Sequence, residues 1–327
     1  MSSKNSNQRV VMQAAGVVAV AFVLSRLMGL ARDIVLSYYF GASTLEVIAY
    51  GYASIIPDFI FNVTVGGALA SAFVPTFSAY FVREDEVGAW RLFGSIINLV
   101  LVVTVFLSGL AALFAPQIVR LFISTNHIDQ FPDLPALTIV MMRIMLLTPI
   151  IFGVSGVFMG ALNARQHFLA PALASSMYNI GIILGMVLFT PNPLGLAWGT
   201  VLGAAGHLFI QIPALRRQNA SYSASLSLTD KGVRQVLVLM GPRVLGLSFS
   251  YLNPIALGLL TRPLALPGES FIALNRAFRI TLMPYSILGQ AIGVAAFPTL
   301  STLAAAEQWD EMRRIIVNSL RSILFFG

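Results

Sequence analysis

Long apolar runs separated by short polar segments dominate this chain. A bilayer core about 30 Å thick needs about 20 apolar residues per helix. Runs of that size or longer cover roughly residues 11–40, 47–80, 92–114, 137–162, 170–189, 194–212, 236–260 and 271–303, and a ninth begins near Ile315 and stops at Gly327. Backbone polar groups cannot stay unpaired in hydrocarbon, so these runs predict helices rather than open strands. The pattern indicates an all-α polytopic membrane protein.

Several runs are longer than one straight crossing and contain residues that interrupt helices. Proline removes a backbone hydrogen bond, and glycine lowers the local preference for helix. The pattern predicts broken or tilted helices that line a cavity. The expected helix-break or gating positions are Pro57, Gly66 and Gly67 in the second run and Pro284 and Gly289 in the eighth.

Composition excludes several classes of protein. The chain is 57% hydrophobic and only 10% charged, whereas an average soluble domain is about a quarter charged. Cysteine is absent, which excludes disulfides and thiolate metal sites. The three histidines, His127, His167 and His207, lack metal-ligand spacing, so we expect neither a metal nor a cofactor. No Ser-His-Asp, paired-His or Gly-rich phosphate-loop pattern occurs, and the polar loops are short, so an enzyme is not expected.

The basic residues predict the orientation of the chain. A net charge of +7 suggests nucleic acid in a soluble protein, but here the Lys and Arg residues lie mostly between apolar runs, so no nucleic-acid partner is expected. With a cytoplasmic amino terminus, only Arg120 and Arg262 lie on the opposite side. The cytoplasmic segments then carry Lys4, Arg9, Arg83, Arg91, Arg165, Arg216, Arg217, Lys231, Arg234, Arg313 and Arg314. Eleven against two predicts that the amino terminus is inside.

An internal repeat predicts two lobes. The segment 72–78 (AFVPTFS) closes the second run and the segment 295–301 (AAFPTLS) closes the eighth, with Pro75 and Pro298 at an offset of 223 residues. An even number of runs separates the copies, so the repeat is parallel, as in some two-lobed transporters. We predict a cytoplasmic tail over 1–10, a complete six-helix lobe over 11–213, a cytoplasmic linker over 214–235, and a partial second lobe over 236–327, truncated within its third helix.

Arginines outnumber acids inside the apolar runs. The two acids are Asp33 and Asp58, and the arginines are Arg26, Arg32, Arg143, Arg243, Arg276, Arg279 and Arg321. Charges at this depth are costly and usually functional, and guanidinium groups match phosphate geometry. A cationic cavity for an anionic substrate is therefore predicted. Arg276 and Arg279 share one helix face, whereas the seven-residue spacing of Arg26 and Asp33 suggests a structural pair.

Several segments resemble the MurJ/MviN family of lipid II flippases, within the multidrug/oligosaccharidyl-lipid/polysaccharide exporter superfamily. The resemblance covers nearly the whole chain. It rests on the segments 25–33 (SRLMGLARD), 40–42 (FGA), 67–68 (GA), 72–75 (AFVP), 160–163 (GALN), 196–198 (LAW), 240–242 (MGP) and on Arg279, Pro284, Leu288-Gly289 and Pro298. It implies fourteen helices in two lobes and no enzymatic activity.

The resemblance also implies site residues. The family's first-span arginines fall on Arg26 and Arg32 and its eighth-span arginine on Arg279; we add Arg276 to this substrate-binding set. Three departures stand out. The family's second-span arginine pair falls on Phe61 and Asn62, its glutamate falls on Gly66, and its early acid falls near Ile48. Asp58 adds a negative charge, so this cavity is less cationic than the family pattern.

Three functions follow as alternatives. The first is a flippase for a lipid-linked pyrophosphate sugar, most readily lipid II, working by alternating access in the bacterial cytoplasmic (inner) membrane with membrane lipids and a monovalent coupling ion as partners. The second is an exporter of another polysaccharide-linked lipid, or a cation-coupled drug exporter whose titrating carboxylate is Asp33 or Asp58. The third is a non-transporting paralogue that acts as a membrane scaffold.

Overall fold

The helices of the structure follow the predicted apolar runs. The protein is described by a computed structural model over residues 2–41, 44–65, 68–123, 125–224, 227, 229–278, 280–282, 300, 303 and 308–326. The first eight helices are α1 Ser2–Phe40, α2 Leu45–Thr64, α3 Ala68–Val82, α4 Glu86–Leu113, α5 Ala115–Phe122, α6 Thr125–Gln130, α7 Leu134–Met145 and α8 Leu147–Ala164. They are followed by α9 Leu169–Phe189, α10 Leu194–Phe209, α11 Ile212–Arg216, α12 Lys231–Tyr251, α13 Asn253–Thr261, α14 (267–278) and α15 Trp309–Phe326.

Membrane crossing follows from the length and hydropathy of these helices. In the part of the chain that the structure describes, five helical segments are long and apolar enough to span a bilayer: Leu45–Thr64, Glu86–Leu113, Leu134–Ala164, Leu169–Phe189 and Leu194–Arg216. Helix α1 has 39 residues, which corresponds to about 58 Å at 1.5 Å per residue. No strand occurs among the described residues. The all-α, multi-pass class is confirmed.

The second run is interrupted, but not at Pro57. Helix α2 continues through Pro57 and ends at Thr64, and α3 begins at Ala68. The expected helix break at Pro57 is therefore wrong, because a helix buried among neighbours tolerates the loss of one backbone hydrogen bond. The interruption lies beside Gly66 and Gly67, which are outside the described residues.

The chain forms two compact units. One unit covers Met1–Glu269 and the other Ser270–Gly327. Helix α12 packs against α3 and α2, and its residues Val233 and Val236 are buried in the same apolar cluster as α3, α4 and α8. Helix α12, with which the predicted second lobe begins, therefore lies in the first unit. At the two ends of the predicted linker, residues 214–216 and 231–235 are helical.

Aromatic residues fill the core between α3, α4 and α8. Phe73 and Phe77 of α3 are fully buried, and the ring of Phe77 lies 5.5 Å from Trp90 and 6.4 Å from Phe93 of α4. Aromatic pairs of this geometry contribute about 0.5–1.5 kcal/mol beyond their burial. This core contains the first copy of the sequence repeat. The second copy lies almost entirely outside the described residues.

Helices α9 and α10 pack through glycine instead. A Cβ added to Gly181 would lie 2.3 Å from Gly203 Cα, and one added to Gly185 would lie 2.2 Å from Gly199 Cα. Side-chain burial gives little advantage over lipid inside a bilayer, so close backbone approach through small residues is a common way to join membrane helices. We call these four residues the glycine seam.

Candidate functional site

An ion pair on α1 lies at the centre of the candidate site. Arg32 donates to one oxygen of Asp33 twice, from Nε at 3.0 Å and from Nη2 at 2.8 Å. The Arg32 side chain is only 18% exposed, and the Asp33 side chain is 39% exposed. The structure thus brings together two of the residues that the sequence singled out.

This pairing corrects the expected partner of Asp33. The seven-residue spacing suggested Arg26, but Asp33 accepts hydrogen bonds from its neighbour Arg32. Adjacent helical residues point about 100° apart, yet the long arginine side chain is able to curl back across that angle. The side chain of Arg26 is exposed.

Two tyrosines lie near the α1 ion pair, and an asparagine lies beside α1 one turn earlier. Tyr50 of α2 and Tyr178 of α9 lie close enough to the Arg32 guanidinium to interact with it electrostatically. The Tyr50 hydroxyl is also 3.3 Å from Oγ1 of Thr200 in α10. Gly29, one turn before Arg32, faces Oδ1 of Asn179. Helices α1, α2, α9 and α10 therefore all contribute to one polar cluster.

Sequence reasoning missed the tyrosines of this cluster. Both tyrosines occur in apolar runs, where a tyrosine is more often a packing residue. The available signal was that small residues surround each of them, Ala49 and Gly51 beside Tyr50 and Ser175 and Ser176 before Tyr178. Asn179 is 7% exposed, and its side chain donates within α9 to the Ser175 carbonyl at 3.0 Å.

The remaining predicted residues are spread over the chain. Asp58 lies exposed on α2, and its backbone carbonyl accepts from Nδ2 of Asn62 at 2.8 Å. Arg276 lies on α14 in the second unit, where its Nη2 atom is buried and has no hydrogen-bond partner in the part of the chain that is described. Arg279, Gly66, Gly67, Pro284 and Gly289 lie outside the described residues.

A second buried polar group joins α8 to the end of α10. Ser155 Oγ is 2.6 Å from Nδ1 of His207, and Nε2 of Gln211 donates to Ser155 Oγ at 2.7 Å and to the His207 carbonyl at 2.8 Å. Buried polar groups in membrane helices are normally paired in this way. Among the described residues, no group of three His, Cys, Asp or Glu side chains forms a metal site.

Comparison with known families decides the classification. The sequence model described as "Lipid II flippase MurJ" matches residues 36–327, which is most of the chain. The chain belongs to the MurJ family. The resemblance seen in the sequence is thereby confirmed.

Relatives in the MurJ family extend well beyond the length of this chain. It is 28% identical over 335 residues to the probable lipid II flippase MurJ of Synechocystis sp., covering 96% of this chain and 60% of the relative. It is 28% identical over 289 residues to the lipid II flippase MurJ of Burkholderia cenocepacia, covering 85% and 55%. The chain therefore spans between about half and three fifths of the length of these relatives.

Solved structures agree on the fold. A lipid II flippase MurJ in an inward closed conformation matches with a TM-score of 0.73 and 24% identity, covering 94% of this chain and 62% of that one. A crystal structure of MATE in complex with MaD3S matches with a TM-score of 0.62 and 17% identity, over 94% of this chain and 69% of that one. Both likenesses confirm the helical transporter fold.

Two departures from the MurJ family pattern have structural roles here. Phe61, at one position where the family resemblance implies an arginine, packs 4.9 Å from the ring of Phe152. Asn62, at the other, donates to the Asp58 carbonyl. In this chain, both positions therefore stabilise the packing of α2 rather than adding positive charge.

Proposed function

We propose that this chain acts in a flippase that moves a lipid-linked pyrophosphate sugar, most readily lipid II, across the bacterial cytoplasmic membrane by alternating access. The relatives that it matches are named lipid II flippases. The observation that carries the proposal is the largely buried Arg32 guanidinium, which is bound to Asp33 and lies within electrostatic range of Tyr50 of α2 and Tyr178 of α9. A buried guanidinium has the charge and the two-pronged donor geometry that a phosphate requires.

Arg32 would exchange its partner during binding. Its Nε and Nη2 both reach a single carboxylate oxygen of Asp33, and a pyrophosphate oxygen is an equivalent acceptor with more negative charge. Asp33 thus keeps Arg32 oriented until the substrate arrives. Arg26, Arg276 and Arg279 complete the proposed binding set, and the buried, unpartnered Nη2 of Arg276 among the described residues supports its inclusion.

Orientation and coupling belong to the same proposal. The excess of basic residues in alternate loops supports an amino terminus in the cytoplasm and insertion in the inner membrane. Asp33 and Asp58 are the acids proposed to respond to a monovalent coupling ion. Gly66, Gly67, Pro284 and Gly289 keep their proposed role as positions where helices bend during the transport cycle, and Pro57 keeps a gating role within a continuous α2.

The proposal is tested by removing the proposed binding charges. Replacement of Arg26, Arg32 and Arg279 by glutamine in the intact gene product should abolish rescue of a flippase-depleted strain and weaken binding of purified protein to lipid II. Exposed arginines outside the membrane spans provide the control, with Arg120→Gln and Arg217→Gln expected to leave both unchanged. Full rescue and binding by the triple variant would reject the assigned roles.

One observation favours a second candidate, a MurJ-like membrane scaffold without transport. Phe61 and Asn62 use positions of the family's arginine pair for packing and helix hydrogen bonds, so part of the expected positive charge is missing. Purified protein that binds neither lipid II nor another pyrophosphate-linked lipid, while the strain still requires the gene, would support this candidate.

A further inference from the structure

The linker between α11 and α12 is held against the helices of the first unit. Its polar, Ser-rich composition predicts a solvated tether. The described linker residues instead contact helices or loops at three separate places. Each contact involves a different element: the α8–α9 loop, helix α4 and helix α3.

The first contact fixes the start of the linker. Nε of Arg165 donates to Oε1 of Gln218 at 3.1 Å, and Nε2 of Gln218 lies 2.5 Å from Nε2 of His167. The Arg165 guanidinium also lies 4.3 Å from the centre of the Phe81 ring, which is a cation–π contact. The amide of Gln218 thus joins the linker to the loop that connects α8 and α9.

The second contact attaches the middle of the linker to α4. The Tyr222 hydroxyl donates to Oδ1 of Asn98 at 2.6 Å, and Nδ2 of Asn98 donates to the Ser223 carbonyl at 3.3 Å. The side-chain oxygen of Asn98 therefore binds one linker residue, and its side-chain nitrogen binds the next. Gly94, one turn before Asn98, makes this approach possible, because a Cβ there would lie only 2.6 Å from the Ser223 carbonyl oxygen.

The third contact fixes the end of the linker to α3. Asp230 caps α12 by accepting from the backbone N–H groups of Gly232 at 2.8 Å and Val233 at 3.2 Å. The Tyr80 hydroxyl of α3 and the Asp230 side chain both lie beside Gly232, close enough to each other to interact electrostatically. Gly232 is packed against this tyrosine, since a Cβ would lie 2.5 Å from its hydroxyl oxygen.

We propose that the linker is a strap that fixes the first turns of α12 to α3 and α4. These contacts join the first helix of the predicted second lobe to the first, so α12 and α3 separate at this end only when Tyr222 leaves Asn98 and Tyr80 leaves Asp230. The strap itself depends only on these contacts. Its role as a limit on lobe opening rests on the proposed transport function.

Two variants of different chemistry loosen the strap without touching the proposed substrate site. Tyr222→Phe removes only the hydroxyl that binds Asn98, and Gly94→Ala places a methyl group against the Ser223 carbonyl. Each has a matched control. Ser221→Ala changes an exposed neighbour in the linker. Gly109→Ala changes another glycine of α4, where an added Cβ has nothing within 4 Å.

Amide hydrogen exchange and limited trypsin digestion measure the strap directly. In both test variants, residues 218–224 should exchange about five-fold faster and cleavage after Arg217 should rise similarly, since one hydrogen bond or its equivalent is lost. The controls should match the parent protein. Unchanged exchange in both test variants would overturn the strap, and so would an increase that extends equally into α9 and α10, because that indicates general unfolding.

Cross-linking then separates the strap from the transport proposal. The chain has no cysteine, so Asn98→Cys with Tyr222→Cys gives one pair for a short, reducible thiol cross-linker. Flippase-dependent growth or lipid II transport should fall at least ten-fold on cross-linking and return on reduction. Equal transport by the cross-linked protein would overturn the strap as a limit on opening. No transport by the parent protein would instead count against the proposed function, while the exchange result stands.

Discussion

The two faces of helix α9 differ in what they allow. Towards α10, Gly181 and Gly185 bring backbone against backbone. Towards α1, Asn179 lies beside Gly29 at ordinary contact distance, 3.9 Å from an added Cβ, and Tyr178 lies near the Arg32 guanidinium. One face is therefore closed to any added atom, whereas the other has polar groups and room for a side chain. From this difference we expect α9 and α10 to behave as one rigid pair, and we expect the contact between α1 and α9 to tolerate change more readily.

The largest effect is expected at the glycine seam. Gly185→Leu places a branched side chain where even a Cβ would lie 2.2 Å from Gly199 Cα, so the helices must separate. We expect a loss of about 3 kcal/mol in stability, at the upper end for overpacking, measured as the fraction of monodisperse, folded protein and its thermal midpoint in detergent. Gly109→Leu on α4 is the control. Equal stability of the two variants would contradict the rigid α9–α10 unit.

The next effect concerns function at the other face. Arg32→Gln removes the charge but keeps a polar side chain of similar length, so folding should be preserved while flippase-dependent growth falls at least about ten-fold. Arg32→Lys should recover only part of that loss, because an ammonium lacks the two-pronged geometry. The readout is complementation at matched protein level. Wild-type growth with Arg32→Gln would remove this arginine from the site.

A smaller effect separates the two roles open to Asp33. Asp33→Asn keeps an oxygen that accepts from Arg32 but cannot titrate. If Asp33 only orients Arg32, the variant should lose about 1 kcal/mol or less in stability, the range for a partly exposed pair, and retain most transport. If Asp33 couples transport to an ion, transport should lose its dependence on that ion. Transport assays in proteoliposomes, with and without an ion gradient, distinguish these outcomes.

The smallest effect tests the open character of the α1–α9 contact. Gly29→Ala adds a methyl group 3.9 Å from Oδ1 of Asn179, an ordinary van der Waals distance. Alanine also favours helix over glycine. We expect stability within about 0.5 kcal/mol of the parent, or slightly higher, by thermal unfolding. A loss as large as that expected for Gly185→Leu would show that both faces of α9 are equally tight.

The sequence predicted the helices better than it predicted the partners of the charged side chains. Apolar run length was enough for α4, α9 and α10, because hydrocarbon leaves the backbone no alternative to helix. The partner of Asp33 was missed, since helical spacing predicts the direction of each Cα–Cβ bond but not the conformation of a flexible arginine side chain. Pro57 was expected to break its helix, yet burial among neighbouring helices keeps α2 continuous through it.

Long-range contacts were the least predictable part. The segment 214–235 was predicted only as a cytoplasmic linker between lobes, and nothing in its composition indicated that Tyr222 binds Asn98, which is 124 residues away in sequence. Composition indicates that a segment is polar, but it does not identify the residues that the segment contacts. Gly94 was a signal in α4, since a glycine in a membrane helix often marks close contact with another segment. It did not identify the linker as that segment.

The α1 ion pair also determines how this region responds to electrical potential. A voltage across the membrane does about 2.3 kcal/mol of work per elementary charge per 100 mV, and it acts only on net charge. Arg32 and Asp33 together carry none, so the resting ion pair contributes no net charge on which the voltage acts. Under the proposed exchange of partners, the phosphate of the substrate would add negative charge to this neutral pair, so the loaded site would respond to the field more strongly than the resting one.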